Sequence, residues 1–206
     1  LHPSGLPEAF IIGEKFIKKD NVALILGDNF FYGQGFTNRL KKSLHKNKGA
    51  TIFTYNVNNP SDYGILEIDR RNKIKKIVEK PSRPKSNLAI TGLYFFNNKV
   101  VHFAKKLKPS KRNELEIVDL LNIYLKNKSL QSEFMGRGSA WLDTGNATTL
   151  FNASQYIAAI EERQGLKIAC IEEISYQNKW ISKKQILKRI SFYGKCEYSD
   201  YLKKIM

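Results

Sequence analysis

The sequence predicts an α/β fold in which a mixed, mainly parallel sheet is flanked by helices. Short apolar runs rich in branched residues, typical of strands, alternate with longer stretches that repeat apolar residues at helical spacing. Between residues 63 and 96, strand-like runs follow one another with only turn-forming segments between them, which is typical of antiparallel hairpins. We therefore expect an antiparallel insertion over residues 63–96 of this α/β sheet.

The elements expected before this insertion alternate between helix and strand. Apolar residues at helical spacing, close to an early proline, predict a helix over Pro7–Ile17. The run Val22–Leu26 has the length and branching of a strand buried on both faces. A short amphipathic helix over Phe36–His45 then leads to a second apolar strand over Ala50–Val57.

Strands make up the insertion, and helices dominate the rest of the chain. The expected elements are the strands Ile65–Ile68, Lys73–Val78 and Asn87–Phe96, the helices Asn98–Leu107 and Glu114–Lys126, the strands Leu130–Met135 and Ala140–Leu142, and the helix Ala147–Glu162 capped by Asn146. Beyond Gly165 we expect one short strand and two short helices, Lys183–Ile190 and Tyr198–Ile205. We expect an α/β domain over residues 1–166 and a helical tail over residues 167–206.

The composition is that of a globular protein, with 42% hydrophobic and 26% charged residues among 206. No apolar run approaches the length of a membrane span, so we expect no membrane association. The net charge of +16 comes largely from scattered lysines without aromatic-interleaved basic motifs. A solvated lysine-rich surface, able to attract anionic substrates, is therefore favoured over a nucleic-acid-binding module. Cys170 and Cys196 are unclustered, which indicates a reducing, cytoplasmic location.

Two aspartates each follow a predicted strand and form the first candidate site. Asp28 lies in Gly-Asp-Asn after the run Val22–Leu26, and Asp143 lies in Trp-Leu-Asp-Thr-Gly before the helix that starts near Ala147. Each could simply cap a turn or a helix. Two carboxylates at strand ends are also what Mg²⁺ requires when phosphates supply its other ligands, and this makes the pair a candidate metal site.

A second candidate is Val-Glu-Lys-Pro at the end of a predicted strand. Glu79 can accept hydrogen bonds from sugar hydroxyls, and Lys80 can bind a phosphate, although a solvated edge strand would show the same residues. Gly64 and Gly92 could mark close approach to a ligand, or only a turn and a bulge. The sequence contains no glycine-rich phosphate cradle, and its three histidines have no nucleophile partner.

Seven segments together resemble the sugar nucleotidyltransferase family over nearly the whole chain. In order, they are PSGLPEAFIIGE, ALILGDNFFYG, NPSDYGILEID, VEKPSRPKSNLAITGLYFF, LKPSKRNELEIVDLLNIYL, MGRGSAWLDTG and IEERQGLKIAC. The combination of WLDTG with a helix ending in IEERQGLK is typical of the thymidylyl-transferring members. GDN and EKP also occur in uridylyl- and adenylyl-transferring members, so a relative that uses UTP or another sugar phosphate stays the alternative.

The resemblance implies a Rossmann-like sheet whose antiparallel insertion binds sugar. It implies Mg²⁺-dependent reaction of dTTP with α-D-glucose 1-phosphate to give dTDP-glucose and pyrophosphate. Family members normally assemble as homotetramers, so a homo-oligomer is expected. The product commonly feeds rhamnose and other deoxysugars of cell-surface polysaccharides.

The resemblance also implies roles for individual residues. Asp28 and Asp143 match the Mg²⁺ carboxylates, Lys80 matches the lysine on the sugar phosphate, and Gly5 matches a glycine that contacts the base. The positions that match the sugar pocket are Tyr63, Gly64, Glu79, Ile90, Gly92 and Tyr94, with Trp141 packed beside Asp143.

One part of the family pattern has no counterpart in these 206 residues. Family members begin with a strand and a glycine-rich loop, bearing an arginine, that cradles the triphosphate. A glutamine that reads the thymine would lie just before residue 1. The resemblance thus implies part of a longer protein, and we expect the 206-residue chain assayed by itself to be inactive.

Overall fold

The computed structural model describes residues 4–206 as two compact units. The first unit extends to Gly145, and the second consists of Asn146–Met206. The chain passes from one to the other directly before a long helix. The functional division at residue 166 stays a prediction.

The first unit contains a sheet, a two-stranded ribbon and short helices. Its elements are α1 (Glu8–Ile12), α2 (Glu14–Ile17), β1 (Val22–Ile25), β2 (Asn29–Gly33), α3 (Phe36–Lys46), β3 (Ala50–Asn56), β4 (Gly64–Ile68), β5 (Ile74–Glu79), β6 (Leu88–Phe96), α4 (Val100–Ala104), α5 (Ile117–Lys126), β7 (Leu130–Phe134) and β8 (Ser139–Asp143). A 3₁₀ turn at Pro60–Asp62 precedes β4.

Strand β6 is the centre of the sheet. The strand order is β5-β4-β6-β3-β7, and β1 also pairs with β6, opposite its last four residues. β6 is buried along nearly its whole length, as its apolar sequence predicts. The predicted mixed sheet flanked by helices is confirmed.

The predicted predominance of parallel strands is wrong for the described residues. Only β3 and β7 pair in parallel there, whereas β1, β3 and β4 all pair antiparallel with β6. The reason is the insertion: β6 is its returning strand, so it enters the sheet against the direction of β1 and β3.

Alternate residues of β6 supply two apolar clusters on opposite faces of the sheet. Ile90, Tyr94 and Phe96 belong to the cluster that includes residues of α1, α4 and α5. Ala89, Leu93 and Phe95 belong to the other, against which α3 and β2 pack.

Two local predictions differ from the structure, and one strand was not predicted. The helix expected over Pro7–Ile17 is interrupted at Gly13, whose ψ of 1° departs from helical geometry. The segment after Asp28, for which no element was predicted, forms β2 and pairs with β8. Beyond Gly165 no strand occurs in the described chain; helix begins again at Ile171, directly after Cys170.

The second unit is helical. It contains α6 (Ala147–Gln164), α7 (Ile171–Gln177), α8 (Lys183–Tyr193) and α9 (Glu197–Lys204). The predicted cap of α6 is confirmed: Asn146 and Thr149 form a reciprocal capping box. A small core of Cys170, Ile186 and Leu202 packs the later helices together. Across residues 4–206, no helix has both the length and the apolarity needed to cross a bilayer.

Candidate active site

The β2–β8 ribbon brings the two candidate aspartates together. Asp28 occupies the turn before β2, and Asp143 is the last residue of β8. The ladder places Asn29 opposite Asp143. The Thr144 amide and hydroxyl both donate to the Asp28 carbonyl, at 2.7 and 2.8 Å. Backbone pairing therefore joins the two motifs although they are far apart in sequence.

Their carboxylates face the same small space beside Gly145. A methyl group on Gly145 would lie 3.3 Å from Oδ1 of Asp143 and 3.7 Å from Oδ2 of Asp28. The Gly145 amide donates to Asp143 Oδ1 at 3.1 Å, so Asp143 also acts as a turn residue. Among the ion pairs of residues 4–206, none involves Asp28 or Asp143.

Two converging carboxylates without a cationic partner fit a hard divalent cation, which prefers oxygen ligands. In the described part of the chain, no third His, Cys, Asp or Glu joins a metal-binding cluster. The pair would therefore need further oxygen ligands, such as phosphates, to complete a coordination sphere.

The Asn29 side chain connects Asp28 to the central strand and to Trp141. Its Oδ1 accepts from the Gly92 amide at 2.9 Å and from the Trp141 indole nitrogen at 2.6 Å. Its Nδ2 donates to Asp28 Oδ1 at 3.0 Å. Gly92 is required here because a Cβ would lie 2.6 Å from Asn29 Oδ1. Sequence reasoning missed Asn29, although the Gly-Asp-Asn motif contains it.

Five residues predicted for the sugar pocket line one cavity of about 170 Å³. They are Tyr63, Gly64, Glu79, Ile90 and Tyr94, and the other lining residues are Leu6, Leu26, Asp62, Ile117, Val118 and Leu121. Ordinary ligand pockets start at roughly 300 Å³, so this cavity suits one small ring. Larger cavities of about 540 and 400 Å³ contain no residue predicted from the sequence.

Glu79 lines the cavity and also lies near two cationic side chains, Lys80 and Arg112. The β4–β5 register places it opposite Gly64, and a Cβ on Gly64 would lie 3.3 Å from Glu79 Oε2. Burial raises the pKa of Glu79, and the negative charge of Glu116 raises it further. Arg112 and Lys80 act in the opposite direction, so both lie close enough to influence this carboxyl.

Aromatic side chains join the cavity to the aspartate pair. Trp141 packs edge-to-face against Tyr63, with their ring centroids 5.2 Å apart. Burial, followed by the charge of Asp143, raises the pKa of Tyr63. Burial, followed by the charge of Glu79, raises the pKa of Tyr94. Both tyrosines thus keep their protons at neutral pH and can donate hydrogen bonds.

Lys80 lies at the rim, and its backbone is strained. Its φ of 39° is in the left-handed region, and its amide donates to the Tyr63 carbonyl at 3.0 Å. Strain of this kind costs about 1–3 kcal/mol and is concentrated at functional sites. The lysine side chain is exposed.

A second cation at the rim, Arg112, was missed from the sequence. Its Nη2 lies 3.8 Å from Glu79 Oε1. Arg112 belongs to a quoted segment of the resemblance, but nothing in that segment indicates its proximity to Glu79. Only the packing of the chain places the two side chains together.

Gly5 lies beside the cavity lining without being part of it. Its φ is +108°, and its backbone packs directly against the backbone of Leu115. The Leu115 amide donates to the Ser4 carbonyl at 2.6 Å. This close approach explains the glycine on structural grounds, and its contact with a base stays a prediction.

Comparison with known proteins identifies the family. The model of the family described as nucleotidyl transferase matches residues 2–160, a range that includes every predicted site residue. The chain belongs to this family. A nucleotidyl transferase of Neisseria meningitidis serogroup A, named glucose-1-phosphate thymidylyltransferase, is 48% identical over 99% of the chain. A Mycobacterium tuberculosis protein of the same name is 42% identical over 99% of the chain.

Solved nucleotidyl transferase structures have the same fold. A Bacillus anthracis protein assigned as a glucose-1-phosphate thymidylyltransferase, crystallised with sucrose, matches 76% of the chain at a TM-score of 0.68 and 36% identity. UDP-glucose pyrophosphorylase complexed with UDP-glucose also matches the chain, at a TM-score of 0.68. Its sequence identity is only 24%, so this match supports the fold alone. The chain spans 71% of the N. meningitidis relative and 62% of the B. anthracis chain.

The Asn29 contacts give a test of how the site is held together. We expect Asn29→Ala to lower the free energy of unfolding of this nucleotidyl transferase by about 1–3 kcal/mol, because two N–H groups lose their acceptor. Urea titration followed by far-UV circular dichroism measures the change. Asn152→Ala, at an exposed position of α6, is the control and should stay within about 0.5 kcal/mol of the wild type. Equal effects of the two substitutions would contradict this role of Asn29.

Proposed function

We propose that the whole protein transfers a thymidylyl group from dTTP to α-D-glucose 1-phosphate, giving dTDP-glucose and pyrophosphate. One observation carries the proposal: within a single compact unit, Asn29 and Trp141 connect two carboxylates that form no ion pair within residues 4–206 to a cavity of about 170 Å³ that suits one sugar ring. The 48% identity to a relative of that name supports the choice of substrates.

In the proposed reaction, a phosphate oxygen of the sugar phosphate attacks the α-phosphorus of dTTP. A bond from this oxygen to the α-phosphorus forms while the bond from the α-phosphorus to the bridging oxygen of the β-phosphate breaks. Pyrophosphate leaves with the electron pair of that bond. The attacking oxygen is already anionic, so the protein has to align the reactants and neutralise charge rather than remove a proton.

The cavity residues have separable roles in this proposal. Glu79 accepts hydrogen bonds from sugar hydroxyls, and the protonated Tyr63 and Tyr94 donate to sugar oxygens. Ile90 supplies an apolar wall beneath the ring. Lys80 and Arg112 at the rim bind the phosphate that the sugar carries, Lys80 as a point charge and Arg112 as a planar donor.

Asp28 and Asp143 are the residues that would hold Mg²⁺. Their carboxylates fit it because they converge beside Gly145 and form no ion pair within residues 4–206. When bound, a divalent cation supplies positive charge that polarises phosphate oxygens. Asn29 Nδ2 donates a hydrogen bond to Asp28 Oδ1, and the Gly145 amide donates one to Asp143 Oδ1. Both carboxylates are therefore oriented before a cation binds.

Self-association is also part of the proposal. The second unit exposes several large apolar side chains, including Ile171, Trp180 and Phe192, which are 74%, 72% and 76% exposed. Exposed apolar surface of this kind is typical of protein–protein interfaces. It supports a homo-oligomer, in line with the tetramer that the resemblance implies.

The choice of nucleotide is tested with the whole protein. Pyrophosphate release is measured with glucose 1-phosphate and each of dTTP, UTP, CTP and ATP. We expect the highest kcat/KM with dTTP. A higher value with UTP would favour the uridylyl-transferring alternative, and no release with any of the four would contradict nucleotidyl transfer.

The aspartate pair gives a second prediction. We expect Asp28→Asn and Asp143→Asn each to lower kcat by at least about 100-fold, because each removes half of the anionic charge that holds the cation. Mn²⁺ binding in the presence of dTTP, followed by electron paramagnetic resonance, should weaken in parallel. Asp20→Asn, at an exposed position outside the site, is the control. Retention of near-normal turnover and Mn²⁺ binding by either variant would contradict the assignment of that aspartate.

The raised pKa of Glu79 gives a third prediction. Because the pKa of Glu79 is raised, this carboxylate is neutralised at a higher pH than an ordinary glutamate as the pH is lowered. The dissociation constant for dTDP-glucose should therefore rise as the pH falls through the raised pKa. This ligand is chosen because its diphosphate has no ionisation in that range.

Calorimetry on the wild type, Glu79→Gln and Glu67→Gln measures the effect. Glu79→Gln should bind weakly with little pH dependence, whereas Glu67→Gln, on the adjacent strand outside the cavity, should follow the wild type. Identical pH profiles for the wild type and Glu79→Gln would contradict the role of Glu79.

A further inference from the structure

We infer that Glu116 is a positioning residue that aims the Arg112 guanidinium at the phosphate of the sugar substrate and keeps it away from Glu79. The inference rests on the proposed function of the cavity, and it concerns residues to which sequence reasoning assigned no role.

Glu116 binds one edge of the Arg112 guanidinium through three hydrogen bonds. Its Oε1 accepts from Arg112 Nε at 3.1 Å and from Nη2 at 2.9 Å, and its Oε2 accepts from Nη2 at 2.8 Å. Such paired, charge-assisted bonds fix the plane as well as the position of a guanidinium. Arg112 thereby has a defined direction although its side chain is 46% exposed.

The opposite edge is left for a ligand. Within residues 4–206, Arg112 Nη1 has no hydrogen-bond acceptor, and the contact of the guanidinium with Glu79 is from Nη2, which lies 3.8 Å from Oε1. A guanidinium offers five N–H donors, so Nη1 retains two that can bind phosphate oxygens. Lys80 is near enough for its charge to lower the pKa of Glu116, which places a second cation beside the same rim.

The Glu116 carboxylate does not cap helix α5, at whose start it lies. Glu116 is the N-cap residue of α5, yet its side chain makes no capping hydrogen bond. The preceding loop is held by its own backbone, with Ser110 N donating to Glu114 O at 2.8 Å and Asn113 N donating to Ser110 O at 2.9 Å. The other contact of the carboxylate is from Ser110 Oγ, which donates to it at 2.7 Å and accepts from the Arg112 amide at 3.1 Å, so the carboxylate is anchored beside Arg112.

Without its hydrogen bonds to Glu116, Arg112 could pair with another carboxylate nearby. Glu79 Oε1 is already 3.8 Å from Arg112 Nη2, and Glu79 is the proposed acceptor for sugar hydroxyls. A guanidinium released from Glu116 would have Glu79 and Glu114 as acceptors, both 3.8 Å from Nη2, and pairing with Glu79 would occupy the acceptor of the sugar hydroxyls. The position of Glu116 therefore protects both recognition of the sugar hydroxyls and recognition of the phosphate.

A double-mutant cycle on the whole protein tests the inference. Steady-state kinetics are measured for the wild type, Glu116→Gln, Arg112→Ala and the double variant, with each substrate varied at saturating concentrations of the other. Glu116→Gln should raise the KM for glucose 1-phosphate about tenfold and leave the KM for dTTP within about twofold. In the Arg112→Ala background the same substitution should have no further effect, because Glu116 acts through Arg112.

Glu114→Gln is the matched control. Glu114 lies 3.8 Å from Arg112 Nη2, and its substitution removes the same charge, but it makes no hydrogen bond to the guanidinium within the described residues. Glu114→Gln should stay within about twofold of the wild type. Additive effects in the cycle, an equal rise in the KM for dTTP, or an equal effect of Glu114→Gln would each overturn the inference.

Direct binding separates failure of this inference from failure of the proposed function. Calorimetric binding of glucose 1-phosphate is measured on the same variants. Binding that requires both Arg112 and Glu116, in a protein that releases no pyrophosphate, would contradict only the proposed function. Binding that Glu116→Gln leaves unchanged would contradict the inference even if the protein is fully active.

Discussion

The candidate site depends on the hydrogen bonds of one amide side chain. Asn29 satisfies a main-chain N–H of the central strand and the indole N–H of Trp141 with a single oxygen, while its nitrogen orients Asp28. Each unsatisfied N–H in this partly buried region would cost about 1–3 kcal/mol, so the amide is held firmly. Because these bonds connect β2, β6 and β8, the geometry of the carboxylates is tied to the strand that also lines the proposed sugar cavity.

The alternation of side chains along β6 explains how one strand contributes to both parts of the candidate site. Since residues of one face alternate along a strand, Ile90, Gly92 and Tyr94 lie on the same face. The first and last of these line the cavity, and the glycine between them receives Asn29. A bulky residue at the middle position would separate the two halves, so the small residue there is a requirement of the site.

Strong local patterns in the sequence predict much of this fold, but not the contacts that complete the site. The strands β3 and β6 and the capped helix α6 were predicted because apolar periodicity and capping are encoded locally. Strand β2 was missed because it follows the turn at Asp28 directly and its partner, β8, lies far along the chain. Asp28 and Asp143 could be proposed from residue type, whereas Asn29 and Arg112 matter through what they contact. Those contacts exist only after folding.

Gly64 gives the proposed sugar cavity a wall made of main chain. Contact with Val118, Glu79 and Ile90 would begin with the first carbon added at this position, the nearest of them at 3.2 Å. Every substitution there can only remove volume from the cavity, because a side chain smaller than hydrogen does not exist. If the cavity binds sugar as proposed, a substitution at Gly64 can only restrict it to smaller rings, and acceptance of larger rings requires movement of the strand itself.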